Sequence, residues 1–376
     1  MRNGFRNQMH IWLSAAIAFC SFRAGAADLF DMNVPTRAQG MGGLYSVFPE
    51  NSQVVMVNPA LLGFVSGINW EVVGLSAAVN GVDAVNDFKD LGNLEGVGAF
   101  NSLYGKNLWL GANGRTSLAL PYFGIAAFQD VKGSFSLENP AFPSLNLNYT
   151  YDSGFNGGFA VPITENSAVG VTVKYIDRQS AEGAVALGTV VTGDTDALLE
   201  SVRRRGTAYG VDLGWAAQTK GAMNSKFSLV WKDVGNTSFL RVGDAPLSSP
   251  IYNNLIAGVG TEFTSGLLDF RVGGELRHMM NDEVSFGQKV HLGTEISLPL
   301  IDLRAGINQG YMTYGFGMDF LIMQLDFAQY FQELGAYPGQ TPENRVQVEL
   351  RMNLSLDTKL SFDFKDGKRR RLKQRR

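Results

Sequence analysis

Cysteine is almost missing from this chain: Cys20 is the only one in 376 residues. Bulky Phe19 precedes it, which argues against a lipoprotein processing site, and with one thiol neither a disulfide nor a Cys-based metal cage can form. Histidine is nearly as scarce. Past residue 26 only His278 and His291 remain, and neither has a metal-like partner four residues on, so no metal site and no cofactor is expected. No G-x-S-x-G elbow occurs, and the glycines at 40, 42 and 43 lack the downstream lysine and hydroxyl of a phosphate loop. An enzyme is therefore not expected. Beyond the N-terminus no run of 18 apolar residues appears, which removes a helical membrane span from the rest of the chain.

What the chain has instead is glycine (44), phenylalanine (25) and short runs alternating apolar and polar residues. The first residues read as a secretory signal: Arg2 and Arg6, the apolar stretch 11–20, and Ala24-Gly25-Ala26 as a small-residue cleavage site. This makes 1–26 a leader. The overall net charge of −3 conceals an asymmetry. Residues 365–376 carry eight basic residues and one acidic one; with these and the three basic leader residues set aside, 21 basic face 34 acidic residues in 27–364. The basic tail suits anionic lipid or an acidic partner in an exported protein, and nucleic acid is not expected.

The alternation carries the fold. Val169, Val171, Val173 and Tyr175 share one face against Thr172 and Lys174; Tyr209, Val211, Leu213 and Trp215 oppose Gly210, Asp212 and Gly214. The same division runs through 270–278, 290–298 and 346–354. Segments of about ten residues, with aromatics near their ends, fit strands that cross a bilayer at a tilt. Thirteen strands are placed directly, among them 68–79, 116–131, 168–179, 206–218 and 344–356, and even strand parity asks for one more within 82–115. The expectation is an all-β protein, a transmembrane antiparallel β-barrel of about 14 strands spanning 68–364. Tight turns at 163–167, 219–224, 264–266, 299–300 and 321 would face the periplasm, as would the tail. Helical content is expected at 193–206, with Gly206 as its stop, and more weakly at 83–97.

The polar face supplies a candidate lumen network of Lys174, Asp212, Lys232, Arg271, Glu275, Arg277, His291, Glu295, Asp302, Arg304, Asp326, Glu349 and Arg351. His291 is expected to join Glu295, Arg271 and Arg304. Mixed signs argue against a simple anion or cation porin.

Residues 37–64 do not alternate. Arg37, Gly40, Met41, Gly42 and Gly43, followed by Asn58, Pro59 and Ala60, resemble the N-terminal signature of the FadL/PorV superfamily of outer-membrane barrels. Stretches 206–215, 229–239 and 303–320 resemble strands of its PorV/PorQ-like branch, whereas 48–55 is bulkier than the usual run of small residues. The resemblance implies that residues 27–67 fold into the barrel as a hatch, with these eight residues as a gate. A static cap over one mouth is the open alternative. It also implies passive transport of a hydrophobic or amphipathic small molecule, with a fatty-acid-like ligand or detergent in the lumen and outer-membrane lipid around the wall. The second implied function is a PorV-like docking barrel for a secretion or periplasmic protein partner.

Overall fold

A computed structural model describes residues 31–81, 104–138, 144–186, 203–221, 223–243 and 245–356. The leader 1–26, the helical expectation at 83–97 and the tail 365–376 lie outside the described residues.

Fifteen strands follow in chain order: β1 (Ile68–Val79), β2 (Asn107–Leu120), β3 (Phe123–Glu138), β4 (Ser144–Thr164), β5 (Ser167–Ala186), β6 (Arg203–Gln218), β7 (Asn224–Lys232), β8 (Leu240–Arg241), β9 (Asn254–Ser265), β10 (Leu268–Leu276), β11 (Val290–Ser297), β12 (Ile301–Asn308), β13 (Tyr311–Phe320), β14 (Met323–Glu333) and β15 (Pro342–Leu356). All strand-to-strand pairings are antiparallel; β1 pairs with β15 and β5 with β6, so the sheet closes on itself. The two-residue β8 only touches Gly206 and Thr207 of β6, which leaves 14 strands in the wall. Closure removes every sheet edge, the condition for exposing a sheet to lipid.

The alternation sets which face goes where. Along β6, Tyr209, Val211, Leu213 and Trp215 are exposed on the outside, while Ala208, Gly210, Asp212, Gly214 and Ala216 are buried inside. Val272, Leu292, Leu303, Val348 and Leu350 continue the outward apolar belt on other strands.

Two expectations need correction. The strand placed at 116–131 is two strands, β2 and β3, joined by a two-residue turn at Pro121 and Tyr122. The turn itself holds no Gly or Asn, and Tyr122 takes the left-handed conformation (φ 69°) usual for such residues. β2 is thereby the strand missing from 82–115. Gly206 is not a helix stop: Arg203–Gly206 belong to β6 and pair with Arg178–Ala181 of β5. Residues 193–202 lie outside the described residues.

Six tight turns lie at one end of the barrel, at 121–122, 165–166, 219–223, 266–267, 298–300 and 321–322, and the two-residue turn 309–310 lies at the other. The opposite end carries most of the longer connections, one of which is pinned by a single carboxylate. Glu333 accepts hydrogen bonds from the N–H groups of Gly335 (2.7 Å), Gly339 (2.8 Å), Gln340 (3.2 Å) and Thr341 (2.7 Å), and from the Tyr311 hydroxyl. Glu333→Ala leaves these donors without their common acceptor, at roughly 1.5–3 kcal/mol for a charged hydrogen bond. Limited proteolysis should then cut within 334–341 at least about tenfold faster, with the barrel's own melting unchanged.

Candidate functional site

The lumen is occupied by residues 31–65, which enter β1 from the tight-turn end. This stretch has a five-residue helix (Thr36–Gly40), a helical turn (Val54–Val57) and a 3-10 turn (Pro59–Phe64). Its apolar side chains pack inward-facing small residues: Val54, Val55, Met56, Leu62 and Val65 cluster with Ala119, Ala126 and Ala160. Met41, Leu44, Val47 and Phe48 form a second cluster.

Wall glycines let the two backbones touch. A Cβ on Gly293 would stand 2.1 Å from the Met41 carbonyl oxygen, and one on Gly306 2.3 Å from the Gly42 nitrogen. On the other side of the ring, a Cβ on Gly170 would meet the Pro59 carbonyl carbon at 2.4 Å, and one on Gly214 the Asn58 side-chain oxygen at 2.2 Å. Gly42 matches this from within: its φ is 67°, and an added Cβ would strike the Leu292 carbonyl oxygen at 2.0 Å. Gly40 works differently, as a helical residue lying against Gly315.

Asn58 is extended (φ −146°, ψ 102°), as suits a residue before proline. Its oxygen accepts from Ala60 N–H (3.1 Å) and its amide donates to Ser228 Oγ (2.9 Å). One short side chain thus caps the 3-10 turn and ties it to β7.

Charges hold the rest. Arg37 donates from Nε and Nη2 to the two oxygens of Glu295 (2.8 and 2.7 Å) and from Nη1 to the Phe48 carbonyl (2.5 Å). Arg304 meets the same carboxylate at 2.6 Å, and Arg271 also reaches it. Arg304 goes on to Asp326 (2.5 Å) and Asp302 (2.6 Å), and Arg351 pairs with Asp326 at 2.5 Å. Glu349 accepts the Thr36 N–H at 2.6 Å and pairs with Arg115. Glu275 accepts Ser46 N–H (2.6 Å), Ser46 Oγ (2.9 Å) and Val47 N–H (3.2 Å). Lys174 sits between Asp212 and Asp233, 2.7 Å from each. Arg277 and Lys232 lie over the Tyr45 ring, at 4.2 and 5.2 Å.

Two things differ from the expected network. His291 is not beside Glu295: four residues along a strand is about 13 Å, and its Nδ1 instead faces the Gly42 carbonyl at 3.1 Å. The pattern also missed Arg115, Glu71 and Gln53. Arg115 meets Glu71 at 2.7 Å, and Gln53 Nε2 donates to Glu71 at the same distance. Glu71 turns inward beside a register shift in β1 after it, a bulge that period-two reading cannot see.

A cavity of about 80 Å³ remains toward the long-loop end. Asp31, Asp130, Arg277, His278, Asn308 and Arg345 are among its lining residues. His278 sits just past β10 at φ 51°; its N–H donates to Asn254 Oδ1 at 2.7 Å. Burial lowers its pKa; Asp31 opposes this, while Arg277 and Lys289 reinforce it. A histidine held neutral in the fold contributes stability above its unfolded pKa, near 6.5. That contribution is lost as pH falls below this value toward the folded pKa. His278→Asn, with a residue that tolerates positive φ, should flatten the dependence of melting temperature on pH between 7 and 5. An unchanged slope would assign the acid sensitivity elsewhere.

Fold and lumen together define a class: a closed 14-stranded antiparallel barrel of the outer-membrane kind, its interior filled by its own N-terminal segment. No family model and no curated protein sequence matches the chain. Solved structures do. The toluene transporter TbuX of Ralstonia pickettii superposes with a TM-score of 0.50 at 12% identity, over 86% of this chain and 100% of that one. The CymD monoaromatic hydrocarbon channel gives 0.50 at 14% identity (86% and 97%). A TodX deltaS2S3 mutant, also a monoaromatic hydrocarbon channel, gives 0.51 at 13% identity (87% and 100%). At such identities the likeness is one of fold.

Proposed function

We propose that this barrel is a FadL-like passive route across the outer membrane for an amphipathic small molecule, with residues 31–65 as its gate. The observation that carries the reading is the mode of attachment. The segment blocks the lumen yet is held there by ion pairs, hydrogen bonds and glycine contacts, all reversible, and Arg37 with Glu295 is central among them. Barrels of the same fold are channels for toluene and other monoaromatics. The charged lining suits a solute with a polar head better than bare hydrocarbon.

Native mass spectrometry in mild detergent, with decanoate or toluene added, tests this beside a variant lacking residues 28–64. A decanoate adduct on the full chain that is lost in the deletion supports the gated route. A second reading, a PorV-like docking barrel, draws on the small polar cavity and on exposed Phe286 and Tyr337 at the long-loop end. No adduct on either form, with a protein partner co-purifying on both, would overturn transport in its favour.

A further inference from the structure

The wall is not of even height. On one side β3, β4, β5 and β6 have 16, 21, 20 and 16 residues; on the other β10, β11, β12 and β13 have 9, 8, 8 and 10. Eight residues rise about 27 Å along a strand, and tilted at about 45° they cover roughly 19 Å of the membrane normal. An outer-membrane barrel presents an apolar band of about 25 Å. The short side therefore falls a few ångströms short.

Its tight turns supply what the strands lack. Between β9 and β10 the turn is Gly266 and Leu267; between β11 and β12 it is Leu298, Pro299 and Leu300; between β13 and β14 it is Leu321 and Ile322. Leu267 is 81% exposed, Leu300 63%, and Leu321 wholly so. Leu321 moreover takes φ 53°, a conformation for which Asn or Gly would be the ordinary choice. These tips run on without a break into the outward belt through Ile301, Leu303, Phe320 and Met323. Two other tips are polar: Glu165 and Asn166 turn β4 into β5, and Thr219 and Lys220 open the turn from β6 to the nine-residue β7; the β2–β3 turn is Pro121 and Tyr122.

We infer that the turn tips at Leu267, Leu300 and Leu321 are a lipid-anchoring surface, inserted among the acyl chains of the leaflet on the tight-turn side. There they complete the apolar belt where the wall is shortest, while the polar tips at Glu165–Asn166 and Thr219–Lys220 stand in water. The inference rests on the barrel alone and not on what passes through it.

The scarcity of cysteine makes the test direct. In a Cys20→Ser background, Leu267→Cys, Leu300→Cys and Leu321→Cys each carry a nitroxide label, with Asn166→Cys and Lys220→Cys as polar controls. The labelled proteins are placed in vesicles of dimyristoyl phosphatidylcholine. Power-saturation electron paramagnetic resonance compares collision with oxygen, which concentrates in lipid, and with a water-soluble nickel chelate. At the three tips oxygen should dominate by at least about threefold, and at the controls the nickel chelate should dominate, the contrast an apolar band against water requires. Tips as accessible to nickel as the controls would overturn the inference. Three independent tips keep the test decisive if one label disturbs folding, which heat-modified gel migration reports.

Discussion

Arg37→Ala is expected to turn a silent barrel into a conducting one. In planar bilayers the wild type should show few openings, because residues 31–65 fill its cross-section, whereas the variant should flicker open. Removing one partner of a buried ion pair costs about 3–5 kcal/mol. Here the low end applies, since Glu295 keeps Arg304 and Arg271 while the segment loses both its double hydrogen bond and the brace to Phe48. About 3 kcal/mol raises the open population on the order of a hundredfold. Glu333→Ala, which loosens only an outer loop, is the control and should stay silent. Equal opening frequencies in wild type and Arg37→Ala would make the segment a static plug.

Gly293→Val combined with Gly170→Val should separate the wall from its filling. Valine favours strands, so the sheet gains locally. Its side chain, however, must occupy space already held by backbone at Met41 and Pro59, and backbone cannot rotate aside as a side chain can. Overpacking costs about 1–3 kcal/mol per site, and more where nothing yields. The double variant should keep the heat-modified gel migration of a closed barrel, while protease cuts within 31–64 at least about tenfold faster than in wild type. Gly157→Val, where an added Cβ meets nothing within 4 Å, should leave cleavage unchanged. A protected segment in the double variant would mean that the glycines serve the wall and not its contents.

The wall was legible because period-two alternation is a local property: which side chain of β6 faces lipid follows from its neighbours in sequence. The turn at Pro121 and Tyr122 was not legible, because its positive φ is taken by a tyrosine inside an apolar run. The lumen charges could be named from the polar face, but their partners could not. Glu295 meets Arg37 across 258 positions and Glu349 meets Thr36 across 313, and nothing in sequence spacing encodes such a pairing. The wall glycines had a signal that was read too generally. Gly170, Gly214, Gly293 and Gly306 all fall at inward positions, and they register against Pro59, Asn58, Met41 and Gly42 only once the ring is closed.

The order of the parts along the chain bears on how the molecule assembles. The segment inside precedes the wall and runs straight into β1, and β1 completes the ring with β15, the last wall strand. Contacts that join first to last are the slowest to form, since the whole intervening chain must be ordered before they reward it. A filler placed after the wall would have to thread a finished ring. Placed before it, the same residues need no such threading, because the strands that follow them can close around them.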